Sequence, residues 1–278
     1  MKDWTAIERA ECQKQDIPLP GQAGPPVVIT GFNLVDIGHG SKYSQVRAKC
    51  YASGTDVYSD RFTLHADTWS ESYLYKATVS WLAIPAGSVG ILAGSCRIHP
   101  HNAGGPHPCR VDFQTSFLKV PEIFLCLNYM DFSKVWRVEA SAEKITRTGF
   151  DAVFQSRGDA CLWAAGGSWI AYESGRDGLE HGKIHAKWDP AGATEQSGKV
   201  DFCPAFQKVP RIFTGLTEIV SHTEFNLRVQ VKVKNVTKDK FEWSIGAWGD
   251  TCKYAISAAW LAIDDTGFSS SAQLIPRQ

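Results

Sequence analysis

The chain has 278 residues, 44% of them apolar, and its 29 lysines and arginines balance 29 aspartates and glutamates. That neutrality excludes the usual nucleic-acid binder, whose affinity comes from neutralising phosphates, and no basic arm, acidic tail or lipidation motif is present. Residues 1–8 lack the apolar stretch of a secretory signal, and the longest apolar-rich run, 254–263, is too short to span a bilayer. Eight cysteines in no regular framework point to reduced thiols. The expected location is the cytoplasm, or outside the cell by a non-classical route, without membrane insertion.

One series of features recurs along the chain. The first passage opens with Pro25-Pro26 ahead of Val27-Val28-Ile29, an apolar strand whose leading prolines need no ladder donor. Arg47 and Phe62 follow, then the polar turn Trp69-Ser70-Glu71-Ser72-Tyr73-Leu74-Tyr75. The apolar strand Trp81-Leu82-Ala83-Ile84 comes next, closed by Pro85-Ala86-Gly87-Ser88. The second passage repeats the order as Val120-Pro121-Glu122-Ile123-Phe124, Arg137, Phe150, Arg157-Gly158-Asp159-Ala160-Cys161-Leu162-Trp163 and Trp169-Ile170-Ala171-Tyr172, ending in the turn 173–178.

Segment 138–145 has helical propensity. Its counterpart in the third passage alternates Leu227, Val229, Val231 and Val233 with Arg228, Gln230, Lys232 and Lys234. That is the period of a half-buried strand, and it outweighs propensity. The third passage is completed by Val209-Pro210-Arg211-Ile212-Phe213, Phe241, Trp248-Gly249-Asp250-Thr251-Cys252-Lys253-Tyr254 and Trp260-Leu261-Ala262-Ile263. The three turns begin at 69, 157 and 248. Each lies seven residues after its phenylalanine and twelve before its strand tryptophan.

A fixed period of this length means three small domains. Each holds about six short strands and no convincing helix, so the predicted fold is all-β, three tandem antiparallel β-sandwiches. They span 1–88, 89–178 and 179–267, with a tail at 268–278. Trp4 corresponds to Trp188, which follows an opening strand Gly182-Lys183-Ile184-His185-Ala186, whereas only Met1-Lys2-Asp3 precede Trp4. Ile275 follows Ile263 by the interval that separates Ile184 from Tyr172. The tail therefore has the register of an opening strand, and pairing with the first domain would cover a bare sheet edge.

The ordered set of Val209-Pro210, Leu227-Arg228-Val229, Lys240-Phe241, the turn 248–254 and Ala259-Trp260-Leu261-Ala262-Ile263 resembles the H-type lectin family. That family is typified by snail agglutinins and the C-terminal domain of the discoidins, and the resemblance covers almost the whole chain three times. It implies a non-catalytic, multivalent carbohydrate-binding lectin without cofactor, whose partners are glycoproteins or glycolipids ending in galactose or N-acetylgalactosamine. It also implies trimeric assembly with sites near protomer boundaries, so one chain is expected to form an intramolecular pseudo-threefold trimer.

By position the resemblance carries sugar binding to Arg47, Trp69, Ser70 and Tyr75 in the first copy and to Arg228, Trp248, Gly249 and Tyr254 in the third. In the second copy it points to Arg137, Arg157, Gly158 and Trp163. The snail proteins carry histidine after the tryptophan, where Ser70, Gly158 and Gly249 stand here. Neighbouring Glu71, Asp159 and Asp250 are candidates to supply the missing contact. Arg157 and Trp163 depart from the family's tryptophan and tyrosine, so the second copy is expected to be compromised. The chemistry agrees: a guanidinium fork suits adjacent hydroxyls, and an aromatic face packs on the C–H face of a galactose-type ring.

Trp81, Trp169 and Trp260 sit in apolar strands and belong to the core. Cys96, His99, His101, His107 and Cys109 are of types that suit zinc, but they cluster in one copy only, in a Gly- and Pro-rich stretch, and no metal is assigned. No recurring carboxylate pair, nucleophile elbow or phosphate loop marks an enzyme. The alternative from another class is a structural or protein-interaction module on the same fold without sugar binding.

Overall fold

The computed structural model describes residues 2–5, 12–21, 23–38, 45–156, 159–187, 194–223 and 225–264. Among these there are strands and turns but no helix, and so no helix long and apolar enough to cross a membrane. The first repeat contributes β1 (Lys2–Thr5), β2 (Cys12–Pro18), β3 (Val27–Gly38), β4 (Val46–Val57), β5 (Arg61–Asp67) and β6 (Tyr73–Ile84). The second contributes β7 (Ile91–Ile98), β8 (Asn102–Ala103), β9 (His107–Asp112), β10 (Glu122–Ser133), β11 (Trp136–Thr146), β12 (Gly149–Gln155) and β13 (Cys161–Tyr172). The third contributes β14 (Leu179–Lys187), β15 (Glu195–Asp201), β16 (Arg211–Ser221), β17 (Leu227–Lys234), β18 (Lys240–Ala247) and β19 (Lys253–Ile263).

The elements follow their local chemistry. β3, β10 and β16 begin directly after Pro26, Pro121 and Pro210, and the segment with helical propensity is strand β11. β17 buries Leu227, Val229 and Val231 while Arg228, Gln230 and Lys232 stay on the accessible face. The recurring Phe–Trp spacing is explained by packing. Phe62 meets Trp81 edge to face at 5.0 Å, Phe150 meets Trp169 at 5.7 Å, and Phe241 meets Trp260 at 5.3 Å. Each pair sits in the interior of one sandwich, where perpendicular rings suit the aromatic quadrupole.

The strands are ordered β1-β6-β3-β17-β18-β15, β2-β5-β4-β10-β13-β7 and β14-β19-β16-β11-β12-β9, with β8 paired to β13. Every repeat is thus a sandwich of two half-sheets, and each half-sheet continues into a different neighbour. Three antiparallel joints make the connections: β3 to β17, β4 to β10, and β11 to β16. The short linkers also touch, with Arg176 donating to the carbonyl of Val89 at 2.9 Å. Lys2–Thr5 occupies the edge beside residues 76–79 of β6, the position assigned from sequence to the tail. Trp188, the segment 189–192 and the tail 268–278 lie outside the described residues.

β3, β10 and β16 pack against one another where the repeats meet. Ile29, Leu82, Phe124, Ile170, Phe213 and Leu261 belong to a buried cluster drawn from all three. Burial on both faces explains why these strands read as apolar runs rather than alternating ones. At the narrowest point stand Gly31, Cys126 and Gly215, each five residues beyond its proline. A Cβ on Gly215 would lie 2.6 Å from that of Cys126, and one on Gly31 would lie 2.8 Å from the Cys126 sulfur. There is room for one side chain among three strands. The Cys126 thiol donates to the carbonyl of Thr30 at 3.7 Å, and burial pushes its pKa up.

Gly215→Ala is therefore expected to cost about 1–3 kcal/mol through overpacking. Combining it with Cys126→Gly should recover most of that loss, because the single permitted side chain has only changed strands. Urea denaturation of the two variants checks this, and equal losses would refute the one-side-chain constraint.

Candidate functional site

The polar turn of the repeat is clamped to the strand that carries the arginine. In the first repeat the Ser72 hydroxyl donates to the carbonyl of Gln45 at 2.8 Å, and Thr68 donates to the carbonyl of Arg47 at 2.7 Å. In the third, the Thr251 hydroxyl donates to the carbonyl of Asn226 at 2.7 Å and accepts from the Arg228 amide at 3.0 Å. This accounts for the hydroxyl residue three positions after each tryptophan. The second repeat has Ala160 there, so the clamp is lost.

The turn needs a left-handed residue after the tryptophan, supplied by Ser70 (φ 59°) and Gly249 (φ 64°). At Gly249 the absent side chain has a second consequence. A Cβ there would fall 2.8 Å from the Arg228 guanidinium, which lies against the bare backbone.

Each arginine stands at a joint between repeats. Arg47 on β4 is paired in register with Asp131 on β10, and Arg228 on β17 with Asp36 on β3. The Arg47 Nε is 3.5 Å from Asp131 Oδ1, and Gln45 donates to the same oxygen at 2.7 Å; the guanidinium also bonds the Gln45 side chain. Arg228 Nε approaches Asp36 Oδ1 at 3.3 Å, within ion-pair range though without the alignment of a hydrogen bond, and its Nη1 is bonded to Asp250. Burial raises the pKa of both joint carboxyls, against the lowering pull of Gln45 and Arg47 on Asp131 and of Arg228 on Asp36. At the third joint Arg137 faces Val220, and its buried Nε has no hydrogen-bond partner among the described residues.

The aromatic that ends each turn motif is placed at a joint other than the one expected. Trp163, Tyr75 and Tyr254 sit at ladder irregularities of β13, β6 and β19, beside Asp131, Asp36 and Val220 respectively. All three remain well exposed, at 36%, 47% and 39%. Tyr75 therefore accompanies Arg228 rather than Arg47; a Cβ on Gly38 would touch both Tyr75 and Asn226. Trp163 accompanies Arg47, donating from its indole to Ser133 at 2.9 Å. Tyr254 accompanies Arg137. The structure groups these residues differently from the copy-by-copy sets: each joint combines the arginine and turn of one repeat with Asp131, Asp36 or Val220 and the terminal aromatic of another.

Trp248 is 37% exposed, whereas Trp69 is half-buried, its ring 5.3 Å from Tyr129. Glu71 and Asp159 are exposed, and Arg157 and Gly158 lie outside the described residues. Sequence reasoning missed Asp36, Asp131, Gln45 and Tyr129. The two aspartates had a signal, since each stands ten residues beyond the proline that opens its strand, where the third repeat has Val220. In the loop considered for zinc, the His107 ring bonds the carbonyl of Gly104 at 2.9 Å and the Cys109 thiol donates to the carbonyl of Arg97 at 3.8 Å. No three potential metal ligands converge among the described residues.

The H-type lectin domain family matches the chain three times, over residues 23–84, 109–172 and 197–263. The chain belongs to that family and is a carbohydrate-binding lectin. Two solved structures of discoidin II from Dictyostelium discoideum, a native recombinant form and the wild type, are similar to it at 14% identity. Each covers 62% of this chain; 81% and 80% of the discoidin chains are covered, with TM-scores of 0.28 and 0.27. No curated protein matches it.

The raised carboxyls give a stability test. A folded-state pKa above the unfolded value contributes stability that is present in acid and lost as pH rises through the folded pKa. Asp36→Asn and Asp131→Asn remove the ionisation, so both variants should be more stable than wild type at pH 7, with the gain shrinking toward pH 4. Urea midpoints at the two pH values check it, and a loss of stability at pH 7 would contradict the sign.

Proposed function

We propose that the protein binds terminal galactose or N-acetylgalactosamine through two of its three joints, and that the third is inactive. The observation that carries this is the Arg–Asp pair at the Arg47 and Arg228 joints, flanked by an exposed or half-exposed tryptophan and a second aromatic. A guanidinium donates to neighbouring hydroxyls while the carboxylate accepts from them, and the aromatic edge packs against the sugar's apolar face. At the third joint the carboxylate is Val220, the clamp hydroxyl is Ala160 and the turn tryptophan is Arg157. Three losses at one joint are what relaxed constraint on an unused site would leave.

Each site alone should bind weakly, because a monosaccharide has few atoms and many polar groups to desolvate. Two sites on one body raise the effective affinity for clustered glycans. The cyclic order of the three joints is the basis for reading the assembly as a pseudo-threefold trimer within one chain. A protein-interaction module without sugar binding is the second reading, favoured by the eroded third joint, and a glycan array of the wild type separates the two.

Calorimetry with lactose is expected to give two sites per chain. Arg47→Ala and Arg228→Ala should each abolish one of them, since charge-assisted hydrogen bonds are worth about 1.5–3 kcal/mol, or roughly 10–100-fold in affinity. Arg137→Ala should change nothing. Tyr75→Ala should weaken the site that survives Arg47→Ala, although Tyr75 and Arg47 belong to the same repeat. Loss of the other site instead would refute the cross-repeat assembly.

A further inference from the structure

The two Arg–Asp joints differ in their surroundings. Around Arg228 the charges cancel: Arg228 and Lys76 stand with Asp36 and Asp250, and the guanidinium is engaged by both carboxylates. Around Arg47 the counterpart of Asp250 is Glu71, which is exposed and makes no ion pair among the described residues. Among the described residues, Asp131 is then the single carboxylate within ion-pair range of Arg47.

Beside that pair the second repeat adds a cationic and imidazole-rich wall. The Arg97 guanidinium lies 4.8 Å above the Tyr129 ring, whose other contacts are Trp69 at 5.3 Å and His99 at 6.2 Å. His99 stacks on His101 at 6.1 Å, and His101 meets Trp163 at 6.5 Å. Arg97, His99 and His101 are all exposed, and both imidazoles are near enough to pull on the Asp131 carboxyl. His101 holds a left-handed backbone (φ 55°), a conformation that costs a non-glycine residue energy and persists where the surroundings impose it.

Among the described residues, neither of the other joints repeats this wall. At the Arg137 joint the strand position of Arg97 is His185, already engaged by Ser257 and Glu218. At the Arg228 joint the counterpart of Tyr129 is Leu34, a buried residue.

We propose that the Arg47 site takes galactose-type sugars carrying an anionic substituent, a sulfate ester or a carboxylate, which Arg97, His99 and His101 hold. The Arg228 site takes the neutral sugar. This rests on the galactose reading of both sites. The arginine fork matches sulfate and carboxylate oxygens, and the imidazoles add N–H donors. Trp69 and Trp163 bound the same space, so an anion on a ring seated at Arg47 has the donors within its reach, while the Asp131 charge is offset by Arg47 and its oxygen accepts from Gln45.

The test uses full-length Arg228→Ala, in which only the Arg47 site remains, titrated with lactose, 3′-sulfolactose and 3′-sialyllactose. At low salt at least one charged ligand should bind about three- to tenfold tighter than lactose, and the advantage should shrink as salt rises, as for partly exposed charges. The two ligands separate sulfate from carboxylate. Adding Arg97→Ala, His99→Ala and His101→Ala should erase the preference and leave lactose binding in place. Should that variant lose lactose as well, Arg97→Gln alone must erase the preference while keeping lactose, or the proposal fails. Equal affinities for all three ligands in Arg228→Ala, or a preference that survives loss of the wall, overturn it. A wild type that binds none of the three overturns the galactose reading, and the proposal with it.

Discussion

The structure depends on the close approach of β3, β10 and β16, where one cysteine and two glycines share a space that admits a single side chain. With Cβ atoms on all three strands the backbones would be forced apart, because packed interiors do not absorb even one extra methylene without strain. The approach lets Ile29, Phe124, Phe213 and their neighbours close a dry cluster. Next to it each strand carries a register irregularity, of the kind that bends a strand. Asn33, Asn128 and Thr217 stand at ladder irregularities just beyond the contact point. Asn128 donates to Ser168 at 2.9 Å, and that oxygen also accepts from the Thr30 amide at 3.2 Å, tying two repeats together by a polar contact inside the apolar region.

Bending has a consequence for function. Beyond the irregularity each central strand runs outward and offers its far edge to another repeat, giving the joints at Asp36, Asp131 and Val220. A side chain at a joint is held by backbone ladders from two repeats, so the Arg–Asp geometry is set by strand register rather than by a mobile loop. The turn that brings the tryptophan is fixed in turn by hydroxyl-to-carbonyl bonds onto the arginine's own strand. Rigid placement of a few donors and aromatic faces is what a weak polar ligand requires, since ordering them on binding would consume most of the available free energy.

The three joints also show how a set of polar residues can differ while the fold stays the same. Ala160 and Val220 are both buried or packed as well as the residues they replace, and sheet pairing at the Arg137 joint is intact. Erosion of the polar set leaves the apolar axis untouched, because the axis lies among β3, β10 and β16 and the polar set at their outward ends.

Much was legible in the residues alone. The triple order of proline, arginine, phenylalanine, turn and tryptophan established three all-β repeats. Strict alternation at 227–234 identified β17 and, through it, β11. These are local facts: strand period, proline's missing donor and the spacing of a Phe–Trp pair are decided within one repeat. What the chain order could not decide is which repeat's edge each half-sheet would meet. A strand edge is a row of backbone donors and acceptors that is the same for every sequence, so its partner is chosen by how the half-sheets pack. Only the tertiary structure could therefore set Arg228 beside Asp36, distant in sequence, and move Tyr75 to a site other than that of Arg47.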